Sequence, residues 1–158
     1  MQEGKVVSVN ISPEKGEKKT PVSSGELIAN FGLKGDGHMG NWHRQVSLLA
    51  MESIEKMQKI GLSVSPGSFA ENITTSGIDL PSLKIGQIIK IGEGIVLKVT
   101  QIGKVCHERC AIYYQAGNCV MPKEGIFAEV LKGGEVKAGD SIIVEEEQNP
   151  QITQIFTD

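Results

Sequence analysis

Short alternating runs of β-branched residues, broken by glycine, proline and aspartate, recur along most of the chain. "KVVSVNI" (5–11) alternates and opens the fold as a strand, and the polar "SPEKGEKKTP" (12–21) reads as a loop with solvated lysines. "GELIANFGLKGDGHMGNWHR" (25–44) reads as mostly irregular, because its glycines after Asn30 are too closely spaced for an element interior. "QVSLLA" (45–50) predicts a buried strand. "MESIEKMQKIG" (51–61) predicts a helix: Met51, Ile54, Met57 and Ile60 share an apolar face, Glu52–Lys56 and Glu55–Lys59 are favourable pairs, and Gly61 ends it. "SPGSFAENITTSGIDL" (65–80) turns at Pro66-Gly67 and continues as a strand. "KIGQIIKIG" (84–92) and "GIVLKVTQIG" (94–103) predict a hairpin turning at Gly92-Glu93-Gly94. "IFAEVLKGGEVKAGDSIIVEEE" (126–147) predicts two more strands, punctuated by Gly133-Gly134 and Gly139-Asp140.

Many glycines (19) and few aromatics (4%) between such runs imply a mostly β fold, a barrel or sandwich with one or more short helices. The 158 residues suit a single domain, taken as 1–147 with a tail at 148–158. A net charge of −3 lacks the basic footprint of a nucleic-acid binder. No apolar run approaches a membrane span and no leader pattern opens the chain, so the expectation is a cytoplasmic protein. In that compartment three cysteines suit a metal or reactive-thiol site better than a disulfide framework.

Three segments carry residues that a plain barrel does not require. In "GDGHMGNWHRQ", Asp36, His38, His43 and Arg44 stand on a glycine-rich loop whose backbone and arginine suit an anion, and whose imidazoles suit a metal; a turn network around Asp36 and His38 is the plainer alternative. In "FAENITT", Glu71 and Asn72 are placed to orient a ligand or a histidine. In "GKVCHERCAIYYQAGNCV", Cys106, His107, Arg109 and Cys110 cluster, with Cys119 nine residues further on. His107 and Arg109 would stabilise an ionised sulfur, the form that acts as nucleophile and soft metal ligand. A Cys3His zinc site and plain apolar packing of cysteines remain the alternatives.

Taken together, "GLKGDGHMGNWHRQVSLL", "PGSFAENITTSGIDL", "LKIGQIIKIG" and "CHERCAIYYQAGNCVMPKEGIFAEVLKGGEVKAGDSIIV" resemble the MOSC domain, named for the C-terminal domain of molybdenum cofactor sulfurase. The likeness spans nearly the whole chain and is nearest to the short, stand-alone bacterial members. It implies a closed or partly open β-barrel and a cysteine-centred site tied to the molybdenum cofactor (molybdopterin), either as sulfur carrier or as molybdenum holder in the reduction of N-hydroxylated compounds. The essential cysteine of the family stands in an "RC" or "PC" context, which carries the catalytic and metal-ligating role to Cys110, with Cys106 as its rival and Cys119 as a further candidate. Asp36, His38, His43, Arg44, Glu71, Asn72 and Arg109 are then expected around the pterin or a small-molecule substrate. A sulfur-donor or electron-donor protein is the implied partner, since the chain has neither the cysteine desulfurase domain of the sulfurases nor a flavin, haem or iron-sulfur signature of its own.

Overall fold

In the computed structural model, which describes residues 2–13, 18–37, 39–103 and 124–145, the alternating runs become strands of one main sheet. These are β1 (Gln2–Ile11), β2 (Thr20–Val22), β5 (Val46–Ala50), β6 (Ile73–Ser76), β7 (Ile88–Ile91), β8 (Ile95–Ile102), β9 (Ile126–Lys132) and β11 (Ser141–Val144). Their order is β11-β7-β8-β9-β5-β6-β1-β2, and β11 also pairs with β1, so seven of them close a barrel from which β2 projects. β3 (Ser24–Ile28), β4 (Gly32–Leu33) and β10 (Gly134–Lys137) form a small second sheet, ordered β10-β3-β4.

Neighbouring strands run antiparallel except β5 and β6, which pair in parallel with Leu48 opposite Ile73. A parallel pair needs a crossover, and helix α1 (Met51–Lys59) supplies it. The pleat sorts the side chains of β5: Val46, Leu48 and Ala50 join the barrel interior with Ile73, Ile89, Ile91, Leu97, Val99 and Ile126. Leu49 points the other way and packs with Ile54 and Met57 of α1 and with Phe69 and Phe127. Each fully buried aliphatic side chain contributes about 1.5–3 kcal/mol, which is why the register of β5 has no freedom to slip.

Several expectations are corrected. The stretch 25–44 is mostly irregular as expected but also holds the short strands β3 and β4, and the stretch after residue 126 holds three strands instead of two. β3 and β10 pair with each other, Leu27 opposite Gly134, so neither finds its long-range partner in a local pattern, while β4, paired locally with β3, is only two residues long. Ile60 is 63% exposed, because α1 ends at Lys59 and leaves it beyond the last packed turn; Ser53, held by Glu124, takes a buried place on the helix instead. Lys19, read as solvated, is buried in an ion pair with Asp36, 2.8 Å from Nζ to Oδ1. No helix among the described residues is long and apolar enough to cross a membrane. The tail 148–158 lies outside the described residues.

Candidate active site

The cysteine-bearing stretch leaves the barrel after β8 and rejoins it before β9. Its two ends are fastened together: Gly103 N–H donates to Gly125 O at 2.7 Å, and Ile102 pairs with Ile126 in the ladder. Cys106, His107, Arg109, Cys110 and Cys119, together with His38, lie outside the described residues. Among the described residues no group of three or more His, Cys, Asp or Glu side chains converges as a metal site.

His43 and Arg44 stand at this junction. The loop that carries them ends where β5 begins, β5 pairs with β9 (Ser47 opposite Phe127), and β9 pairs with β8 (Phe127 opposite Gln101). That register brings the loop beside Gln101, whose Oε1 accepts from Arg44 Nε at 3.0 Å and lies 3.1 Å from His43 Nε2. The Arg44 guanidinium lies 5.2 Å from the centroid of the Phe127 ring, a cation–π arrangement. Thr100 Oγ1 donates to the His43 carbonyl, and Trp42 meets the His43 ring edge-on at 5.6 Å. Among the described residues the terminal Nη groups of Arg44 have no hydrogen-bond partner. Arg44 therefore offers a preoriented, half-buried fork suited to a phosphate or carboxylate.

Asp36, Glu71 and Asn72 are placed differently, inside the protein and engaged with protein groups. Asp36 Oδ1 accepts from Lys19 Nζ and from the Ser12 amide. Glu71 Oε2 accepts from Gly67 N–H at 2.9 Å and from Thr74 Oγ1 at 2.7 Å, while its Oε1 has no partner among the described residues. Burial raises the Glu71 pKa from its ordinary 4.5, and the hydrogen bonds from Gly67 and Thr74 oppose that rise. Asn72 bridges strands: its Oδ1 accepts from Ser47 N–H and its Nδ2 donates to Asn10 O. Gly67 couples the two carboxylates, because its N–H reaches Glu71 and its carbonyl accepts from Lys19 N–H. The structure thus gathers Asp36 and Glu71 into one buried network and His43 with Arg44 into a separate, more exposed one; Asn72 is buried and joins β5 to β1.

A cleft of about 650 Å³ opens at the far ends of β5 and β6, lined by Glu52, Ser53, Lys56, Asp79 and Glu124 among others. Glu124, where the chain returns from the cysteine stretch, accepts from Ser53 Oγ and Lys56 Nζ and so pins that return to α1. Sequence reasoning passed over Gln101, Lys19 and Phe127. Gln101 stands in an ordinary strand pattern, and only its register beside Arg44 gives it a part.

A family model for the MOSC domain matches residues 35–143. No curated protein sequence matches the chain. Among solved structures, the YuaD protein from Bacillus subtilis is similar at 22% identity and a TM-score of 0.77, over 94% of this chain and all (100%) of that one. YiiM from Geobacillus stearothermophilus is similar at 20% identity and a TM-score of 0.64, over 90% of this chain and 75% of that one. YiiM from Escherichia coli is similar at 23% identity and a TM-score of 0.62, over 92% and 71% respectively. With a matching model over most of its length and a closed β-barrel of the same shape as these structures, the chain belongs to the MOSC domain family.

Proposed function

We propose that this protein works with the molybdenum cofactor, using a cysteine thiolate for molybdenum ligation or sulfur carriage. The observation that carries the reading is the Arg44–Gln101–Phe127 arrangement at the base of the cysteine stretch. The donors fit the group. Cysteine sulfur is the soft ligand molybdenum prefers, and a half-buried guanidinium whose terminal nitrogens have no partner among the described residues matches the phosphate of the pterin. Cys110 is the first choice for the thiolate, Cys106 the second and Cys119 the third; His38, His43 and Arg109 are the further cofactor-binding candidates. When bound, the metal centre would supply the redox chemistry for reducing an N-hydroxylated compound, with electrons from a partner protein. The buried Asp36, Glu71 and Asn72 hold the surrounding loops in place.

The test is to isolate the protein from a host competent in cofactor synthesis and measure molybdenum, pterin and sulfane sulfur. Pterin-bound molybdenum or a trapped persulfide is expected to accompany the wild type and to be lost in Cys110→Ser. Full retention in that variant moves the role to Cys106. One tightly held zinc, with a melting temperature that collapses on chelation, would establish a non-catalytic zinc-binding adaptor instead.

A further inference from the structure

Gln101 holds two things at once. Its Oε1 faces both His43 Nε2 and Arg44 Nε, and its Nε2 donates to the Gly103 carbonyl at 2.8 Å, at the residue where the cysteine stretch departs. The orientation of the amide is not a free choice. Arginine can only donate and a backbone carbonyl can only accept, so the amide oxygen must face Arg44 and the amide nitrogen must face Gly103. His43 Nε2, sharing that same oxygen, must then carry a proton.

We propose that Gln101 is a positioning residue: it fixes neutral His43 as the Nε2–H tautomer, which leaves Nδ1 as the available acceptor, and ties the His43–Arg44 pair to the backbone from which the cysteines depart. Among the described residues His43 Nδ1 has no hydrogen-bond partner, and the side chain is exposed. The imidazole therefore presents a lone pair, not a proton, to whatever approaches its exposed side. Such a group receives a proton from a thiol or from a hydroxylated nitrogen. This role deepens the cofactor-site reading and rests on it for its chemical purpose. The tautomer and the tether are properties of the protein alone.

The test uses the full chain labelled with 15N-histidine, with His43 identified by its loss in His43→Asn. Long-range proton–nitrogen spectra, recorded at a pH where the ring is neutral, are expected to show a protonated Nε2 and an unprotonated Nδ1. Gln101→Leu should scramble this signature. Gln101→Glu keeps an acceptor for both donors and should restore it, while placing an oxygen against the Gly103 carbonyl. Loss of that one tether should speed alkylation of the cysteine stretch about five-fold, as a neutral hydrogen bond implies. A proton on Nδ1 in the wild type, an unchanged signature in Gln101→Leu, or equal alkylation rates in wild type and Gln101→Glu would overturn the proposal. None of these readouts depends on bound molybdenum, so failure of the cofactor reading would show separately in the metal and pterin content.

Discussion

The amide of Gly103 donates to the carbonyl of Gly125 at 2.7 Å, so the chain that carries all the cysteines leaves the barrel and re-enters it at a single point. The proposed cofactor site draws on the side chains around that point, Arg44 foremost. Arg44→Lys removes the planar fork, the contact over Phe127 and the bond to Gln101 together. Retention of the molybdenum pterin should fall on the order of ten-fold, the equivalent of one charge-assisted hydrogen bond. Metal and pterin content per chain, alongside an unchanged melting temperature, measures it; undiminished content would remove Arg44 from the site.

The Lys19–Asp36 pair is buried on both sides, with side-chain exposure of 0% for each. Removing one partner takes the close counter-charge away from the other in the interior, so Lys19→Met and Asp36→Leu should each cost about 3–5 kcal/mol, and the double variant less than their sum. Urea denaturation of the four proteins gives the coupling directly. Strict additivity would mean that the charges do not depend on each other.

Glu71 makes stability depend on pH in a definite direction. Its folded-state pKa is raised by burial, so the folded protein binds this proton more tightly than the unfolded chain does. The stabilisation is complete below about 4.5, the ordinary value, and is lost as pH rises from there through the folded-state pKa. Glu71→Gln cannot ionise and should flatten that decline. The check is the difference in unfolding free energy between acidic and neutral pH in the two proteins, and an equal slope in both would count against it.

Gly67 and Gly61 both adopt positive φ, +92° and +99°, yet they should respond differently to alanine. A Cβ on Gly67 would collide with the Lys19 carbonyl, at the joint between the two buried carboxylates, whereas Gly61 has open space around it. Gly61→Ala should cost about 1 kcal/mol for its backbone conformation alone. Gly67→Ala adds overpacking and should cost at least about 2 kcal/mol. Chemical denaturation ranks them, and equal costs would show that the Lys19 strand end yields freely.

What could be read in the sequence was what is local. The β7–β8 hairpin and α1 announce themselves because alternation, turn residues and helical spacing act within a dozen positions. β3 and β10 stayed hidden because their pairing joins residues such as Leu27 and Gly134 across most of the chain, and β4, which pairs locally with β3, is only two residues long. The same limit applies at the site. Arg44 stands out as a cation on a glycine-rich loop, but Gln101 gains its part only through the Gln101–Phe127–Ser47 register. The buried side of the network escaped for a different reason: Lys19 sits in a run of lysines, and composition cannot tell which of them finds a carboxylate inside the protein.

Closure of the barrel between β1 and β11, Gln2 opposite Val144, has a consequence for biosynthesis. Strand β1 leaves the ribosome before every other strand of the barrel, and β11, the strand that closes it, emerges after all of them. Until Ser141–Val144 is free to dock, β1 and β7 each present an unpaired edge, because β11 bridges exactly those two strands. Open edges are templates for intermolecular pairing. Ribosome stalling or truncation ahead of residue 141 would thus leave a nascent chain with two adhesive borders, a natural target for chaperones.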